Sequence, residues 1–136
     1  MAKAQVTTYD AKNCAVSVKG VVITGLSDDF ITGSKDEDYF STSVGAQGDV
    51  ITNAINNDLG TVKIKVQSTS PQIKHLKSLQ TVKTPFPVWC SNKKLHERFG
   101  GSKALLQSAP EVSRGAECDD LEFTFQVFDY SNTYLK

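Results

Sequence analysis

The chain has 136 residues, of which 39% are hydrophobic and 22% charged, the composition of one globular domain, residues 1–136, with its own core. Fifteen basic and fifteen acidic side chains give a formal net charge of zero. This balance argues against a protein whose main task is to bind nucleic acid, because such proteins carry a basic excess. The sequence contains no apolar run close to the roughly 18 residues of a membrane span. It also lacks the apolar stretch of a secretory signal, which favours a cytoplasmic site of synthesis.

Alternation of apolar and polar residues with a period of two dominates the chain and predicts half-buried strands. The clearest examples are residues 61–67 and 121–127, and their inward positions define a predicted core. These core residues are Val62, Ile64, Val66, Leu121, Phe123, Phe125 and Val127. Further strands are predicted at residues 15–18, 21–24, 30–34, 39–44, 50–55, 88–91, 104–108 and 112–115.

One helix is predicted after Ser70, where a serine N-cap precedes Pro71 in the first turn. Leu76 and Leu79 then recur at helical spacing, and Leu76 is assigned to the core. The helix ends before Pro85, because proline has no amide donor and restricts the residue before it. The predicted fold class is therefore mainly β, a small β-sandwich or barrel with one flanking α-helix.

A hairpin is predicted between residues 36 and 58, with strands 39–44 and 50–55 joined by the turn 45–48. Neither strand has a cleanly apolar face, and an isolated two-stranded hairpin is marginally stable in water. Either the ribbon packs on the sheet of its own domain, or another copy of the chain completes it. Both alternatives stay open at the level of the sequence.

Charge is segregated along the chain although the total is zero. Residues 28–58 contain seven acids and one base, whereas residues 72–103 contain seven bases and one acid. Such runs are explained either by solvated faces or by unlike patches that meet across a subunit boundary and fix its register.

No catalytic motif is present in the sequence: GxGxxG, GxxxxGK[ST], HExxH and GxSxG are all absent. The three cysteines, Cys14, Cys90 and Cys118, show no CxxC spacing and are interpreted as small core residues. His75 is interpreted as a surface residue beside the helix lysines. We therefore predict no catalytic site, no metal and no cofactor. A small-ligand-binding or enzymatic β domain with a distributed site is the less favoured alternative.

Several short phrases, taken in order, resemble a family of small tail tube proteins of contractile-tailed phages (myoviruses). The phrases are VKGVVITG (18–25), DFI (29–31), EDYF (37–40), VGAQG (44–48), NNDLGTV (56–62), QSTSP (67–71) and APEVSRGAE (109–117). They cover most of the first 71 residues and part of the last 30. The family is related in fold to the tube proteins of type VI secretion and of contractile bacteriocins.

The resemblance implies a structural protein that stacks as hexameric rings, with a continuous inner β-barrel, into a hollow conduit for genomic DNA. The implied partners are identical subunits, a sheath protein if the tail is contractile, the tape measure protein and the baseplate tube proteins. DNA would pass through the lumen without specific binding. The implied location is the virion tail, assembled in the cytoplasm of the host bacterium. A tube initiator, a tube terminator or the tube protein of a contractile injection system is the alternative with the same fold.

The ribbon is predicted to make the inter-subunit or inter-ring contact, with Phe40 as its apolar anchor. The residues assigned to this contact are Asp36, Glu37, Asp38, Tyr39, Phe40, Thr42, Val44, Val50, Thr52 and Ala54.

Overall fold

The computed structural model describes residues 8–108, 110–112, 114–116 and 118–134, with residues 28 and 29 described by their backbone alone. Within these ranges the strands are β1 (Cys14–Val18), β2 (Val21–Val22), β3 (Leu26–Lys35), β4 (Phe40–Val44), β5 (Val50–Ala54), β6 (Gly60–Val66), β7 (Phe86–Asn92), β8 (Glu97–Ser108), β9 (Leu121–Val127) and β10 (Ser131–Tyr134). Helix α1 spans Ile73–Ser78, and short 3-10 turns cover Ala11–Asn13 and Leu79–Thr81. The predicted fold class, mainly β with one flanking helix, is confirmed.

Eight strands form one antiparallel sheet in the order β2-β1-β7-β8-β9-β6-β3, with β10 paired to β8. The sheet curls into a half-barrel, and β8 is its longest strand. Along one edge β8 pairs with β7; along the other it pairs first with β10 and then with β9. Strands β4 and β5 form a second sheet of two strands.

The core follows from the alternation in β6, β7 and β9, each of which buries every second residue. Helix α1 contributes Leu76 to this core, and Leu79, just after the helix, is buried beside it. Phe86 and Phe125 meet edge to face there, with ring centroids 6.0 Å apart. All eight residues that the sequence assigned to the core are buried: Val62, Ile64, Val66, Leu76, Leu121, Phe123, Phe125 and Val127.

The predicted start of the helix is wrong. The N-cap is Gln72, not Ser70, and its side chain makes no capping hydrogen bond. Ser70 is buried, and its hydroxyl donates to the carbonyl of Thr24 at 2.5 Å. The Ser70 oxygen also accepts from the backbone amide of Gln72 at 3.4 Å, so the residue closes the turn before the helix while its proton joins the chain before β3.

Near the C-terminal end one predicted strand is absent, one is longer than predicted, and one observed strand was not predicted. The described residues of the predicted strand 112–115 form no strand, only an isolated bridge between Arg114 and Cys118. Strand β8 begins at Glu97, seven residues before its predicted start, and β10 was not predicted. The early half of β8 lacks alternation, and its conformation comes from pairing with β7, where the Arg98 guanidinium lies 3.8 Å from the centroid of the Trp89 ring.

Two residues differ in burial from what the sequence predicted. His75 is half-buried, and its Nε2 lies 3.0 Å from the carbonyl oxygen of Val18, so it is not a free surface residue. Among the cysteines, Cys90 is buried and Cys14 half-buried, as a core assignment requires, but Cys118 is exposed. Cys118 is one of the two residues of the isolated bridge described above and lies outside the named strands.

Candidate functional site

The most unusual feature of the molecule is the hairpin of β4 and β5, which we call the hairpin. Its two strands pair only with each other, with Phe40 opposite Ala54 and Val44 opposite Val50. All ten strand residues are exposed to solvent. An isolated pair of strands gains little stability from its own contacts. The hairpin therefore leaves side chains exposed that a contact with another molecule would bury.

The register of the hairpin separates its residues into two faces. One face carries three cross-strand pairs, which we call the contact face: Phe40 and Ala54, Thr42 and Thr52, Val44 and Val50. The opposite face carries Ser41, Ser43, Ile51 and Asn53. On the contact face 57% of Phe40, 67% of Val44 and 60% of Val50 is exposed. Exposed apolar residues clustered on one face mark an interaction surface.

The turn of the hairpin is closed by its own backbone. The amide of Gly45 donates to the carbonyl of Asp49 at 2.8 Å, and the amide of Gly48 donates to the carbonyl of Gly45 at 3.0 Å. Gly48 has φ of 93°, a conformation that L-residues with a side chain rarely adopt. The hairpin is thus a regular ribbon up to its tip.

The root of the hairpin, residues 35–39 and 55–60, is fixed to the half-barrel by Asp36. Its carboxylate accepts hydrogen bonds from the Thr61 hydroxyl at 2.8 Å and from the Gln126 side-chain amide at 2.9 Å. Its backbone amide donates to the carbonyl of Leu59 at 3.0 Å. Asp36 was predicted as a contact residue, and the structure also gives it a positioning role. No local signal in the sequence indicated Thr61 or Gln126, which lie 25 and 90 positions away.

Further contacts stabilise the root, within its first strand, between its two strands, and to the segment before β10. The Lys35 ammonium lies 4.0 Å from the centroid of the Tyr39 ring, a cation–π contact. The amide of Ile55 donates to the carbonyl of Tyr39, and the amide of Tyr130 donates to the carbonyl of Asp58, both at 3.0 Å. The hairpin therefore leaves the half-barrel from a fixed base.

The remaining predicted contact residues, Glu37 and Asp38, lie exposed at the root. The structure brings all ten predicted contact residues onto one projecting element, where Tyr39 is 76% exposed. It contains no copy of a partner, and the contact itself stays a prediction.

One cavity, with a volume of about 300 Å³, is lined by two cysteines, Cys14 and Cys90, and is therefore the place to look for a reactive thiol. The Asn92 side-chain amide donates to Cys14 Sγ at 3.1 Å. Burial, with smaller effects of Cys14 and Glu97, raises the pKa of Cys90 to about 12, so this thiol stays protonated and unreactive at neutral pH. In the described part of the chain, no three His, Cys, Asp or Glu side chains are grouped to hold a metal ion. The described helices include none that could span a membrane.

Comparison with known proteins agrees with the resemblance. A family model described as "Bacteriophage PhiTE tail tube protein" matches residues 7–96, well over half of the chain. This segment contains the hairpin, α1 and β1 to β7. No curated protein sequence matches the chain significantly.

Several solved structures share the fold. The tube-terminating cap of the anti-feeding prophage has a TM-score of 0.68 at 10% identity, covering 98% of this chain and 96% of the other. The sheath/tube terminator of the extracellular contractile injection system PVC has a TM-score of 0.67 at 12% identity, covering 96% and 99%. A chain of the PVC sheath–tube complex has a TM-score of 0.66 at 12% identity, covering 94% and 93%. The matched family is one of tail tube proteins, which are structural proteins and not enzymes.

Proposed function

We propose that this chain, which belongs to the bacteriophage PhiTE tail tube protein family, assembles with copies of itself into hexameric rings that stack into a hollow tube. The observation that carries this proposal is the hairpin, whose contact face is exposed although its root is fixed. A rigid projecting ribbon with an apolar face suits a surface that another copy of the chain completes.

The contact face has enough apolar surface to contribute to assembly. Full burial of a side chain such as that of Phe40 contributes about 1.5–3 kcal/mol relative to full exposure. Phe40 is 57% exposed in the single chain, so most of this contribution is available to a neighbour. Each subunit of a ring repeats the same contact, and a head-to-tail interface that closes by rotation gives a ring of defined size.

The tube would conduct genomic DNA without binding it. Affinity for DNA comes mainly from neutralising phosphates with Lys and Arg, and this chain carries no net positive charge. The outward face of β6 and β9 is polar and mixed in charge, which suits a water-filled channel. Its residues are Thr61, Lys63, Lys65, Glu122, Thr124 and Gln126.

The same proposal includes the other components of a tail. A sheath protein would surround the tube if the tail contracts, and one of the solved structures with this fold is a sheath–tube complex. Tape measure and baseplate tube proteins would contact the lumen and the end of the tube. The assembled protein would reside in the virion tail and would be built in the host cytoplasm.

A ring-forming terminator is the second candidate function, because two of the solved structures with the same fold are tube-terminating proteins. Electron microscopy of the purified full chain in negative stain separates the two. Long hollow tubes with six-fold symmetry are expected for a tube subunit, and discrete single rings for a terminator. A chain that stays monomeric at all concentrations by analytical ultracentrifugation contradicts both.

A further inference from the structure

Helix α1 presents two lysines that its packing directs away from the domain. Leu76 is fully buried, and the His75 ring lies 3.0 Å from the Val18 carbonyl, which fixes the rotation of the helix about its axis. Lys74 and Lys77 are consequently exposed, three positions apart on one face, which we call the lysine face. The first turn of the helix has no acidic residue, and neither lysine has an ion pair within the described residues.

The root of the hairpin presents the opposite charge. Glu37 and Asp38, which we call the acidic pair, are exposed and have no cationic partner in the described ranges. They follow directly after Asp36, whose carboxylate is held by Thr61 and Gln126. The acidic pair is therefore attached to a fixed position on the half-barrel.

Topology places the two charged surfaces at opposite ends of one strand. The root of the hairpin leads into β6 at Gly60, and the chain reaches α1 after β6 has ended at Val66. Seven residues of extended chain span roughly 20 Å. Gln72, at the start of α1, accepts hydrogen bonds from the amide and the hydroxyl of Thr24. Thr24 is close to Leu26, the partner of Val66, so α1 begins near the end of β6 that lies away from the root. In a head-to-tail stack, however, opposite ends of successive copies meet.

We infer that the lysine face of one copy receives the acidic pair of the copy in the next ring. This contact rests on the proposed function and adds a partner surface for the root of the hairpin. Unlike charges at such a boundary select the head-to-tail orientation, because like ends that approach each other repel. The contact is exposed, so it weakens as salt is added.

Charge reversal in the full-length chain tests this contact. Lys74→Glu with Lys77→Glu, or Glu37→Lys with Asp38→Lys, should each raise the critical concentration for tube assembly by about tenfold or more, a change of about 1.4 kcal/mol. All four substitutions in one chain should return it to within about threefold of the wild type. Sedimentation and electron microscopy measure assembly, and urea unfolding of the unassembled chain confirms that each variant folds.

A matched control separates a specific contact from an effect of net charge. Lys93→Glu with Lys94→Glu reverses two exposed lysines in the turn between β7 and β8, and combined with the reversed acidic pair it should not restore assembly. Equal restoration by this control, or no restoration by the four-fold variant, overturns the inference. If the wild type assembles and Lys74→Glu with Lys77→Glu assembles equally well, the inference is also overturned, and the lysine face serves another acidic partner, such as a sheath. Failure of the wild type to assemble contradicts the proposed function instead.

Discussion

The side-chain amide of Gln126 donates a hydrogen bond to the carboxylate of Asp36 at 2.9 Å and joins β9 to the root of the hairpin. The same amide group also donates to the carbonyl of Gly60 at 2.9 Å. Gln126 therefore holds both strands of the root, one where it leaves β3 and the other where it enters β6. Together with the Thr61 hydroxyl, which donates to the same carboxylate, this side chain helps to set the direction in which the hairpin leaves the half-barrel.

Replacement of Asp36 by alanine tests this positioning role. The variant loses two side-chain hydrogen bonds on an exposed surface, so its free energy of unfolding should fall by about 1 kcal/mol. Tube assembly should weaken much more, because the hairpin is no longer held in one orientation. Urea unfolding and sedimentation measure the two effects. The matched substitution Glu37→Gln should leave the free energy of unfolding unchanged, since Glu37 has no partner within the described residues. Full assembly by the Asp36→Ala variant would contradict the positioning role.

Alanine substitutions of Phe40 and Phe125 should have opposite effects on assembly and on monomer stability. Phe125 is completely buried in the core, and its loss should reduce the free energy of unfolding by about 3–5 kcal/mol. Phe40 is 57% exposed, so Phe40→Ala should leave monomer stability nearly unchanged and weaken assembly. Thermal unfolding below the assembly concentration and negative-stain microscopy measure these effects. Equal destabilisation of the monomer by both variants would make Phe40 a core residue.

Gly100 allows β7 and β8 to approach closely and should not tolerate alanine. A Cβ atom at this position would lie 2.1 Å from the carbonyl oxygen of Val88, and the residue has φ of 129°. Gly100→Ala should therefore lower the free energy of unfolding by at least about 2 kcal/mol. Gly115→Ala is the control, because a Cβ there meets no atom within 4 Å. Similar unfolding midpoints for the two variants would disprove the close approach.

Asp129 contributes a pH-dependent part of the stability. Burial acts to raise its pKa, but hydrogen bonds from the Ser102 hydroxyl at 2.5 Å and from the amides of Lys103 and Ser102 outweigh burial and lower it. The folded pKa is below the unfolded pKa, so the contribution is present above the unfolded value of about 3.9 and is lost as the pH falls through the folded pKa. The difference in unfolding free energy between the wild type and Asp129→Asn should therefore shrink from pH 7 to pH 3. An equal difference at both values would exclude this titration.

The sequence alone determined the elements whose own pattern is strong. Strands β6 and β9 alternate cleanly, so their faces, their core residues and nearly their bounds follow from a period of two. The hairpin was also predictable, at 39–44 and 50–55 against the observed Phe40–Val44 and Val50–Ala54. Local periodicity determines β6 and β9, because a half-buried strand needs one apolar face whatever its neighbours are, whereas the hairpin follows from its glycine-containing turn at 45–48.

Only the tertiary structure determined the remaining strands and the long-range hydrogen bonds. The first half of β8 is a strand because it pairs with β7 on one side and with β10 on the other. Neither this half of β8 nor β10 has the apolar alternation that predicts a strand from sequence. Ser70 became a buried donor to Thr24, and Asp36 became the anchor of the hairpin, through partners far away in the sequence. The structure also decided against one alternative for the hairpin, since among the described residues it does not join the main sheet of its own domain; its completion by another copy stays a prediction. Long-range hydrogen bonds have no period, so the folded chain alone reveals them.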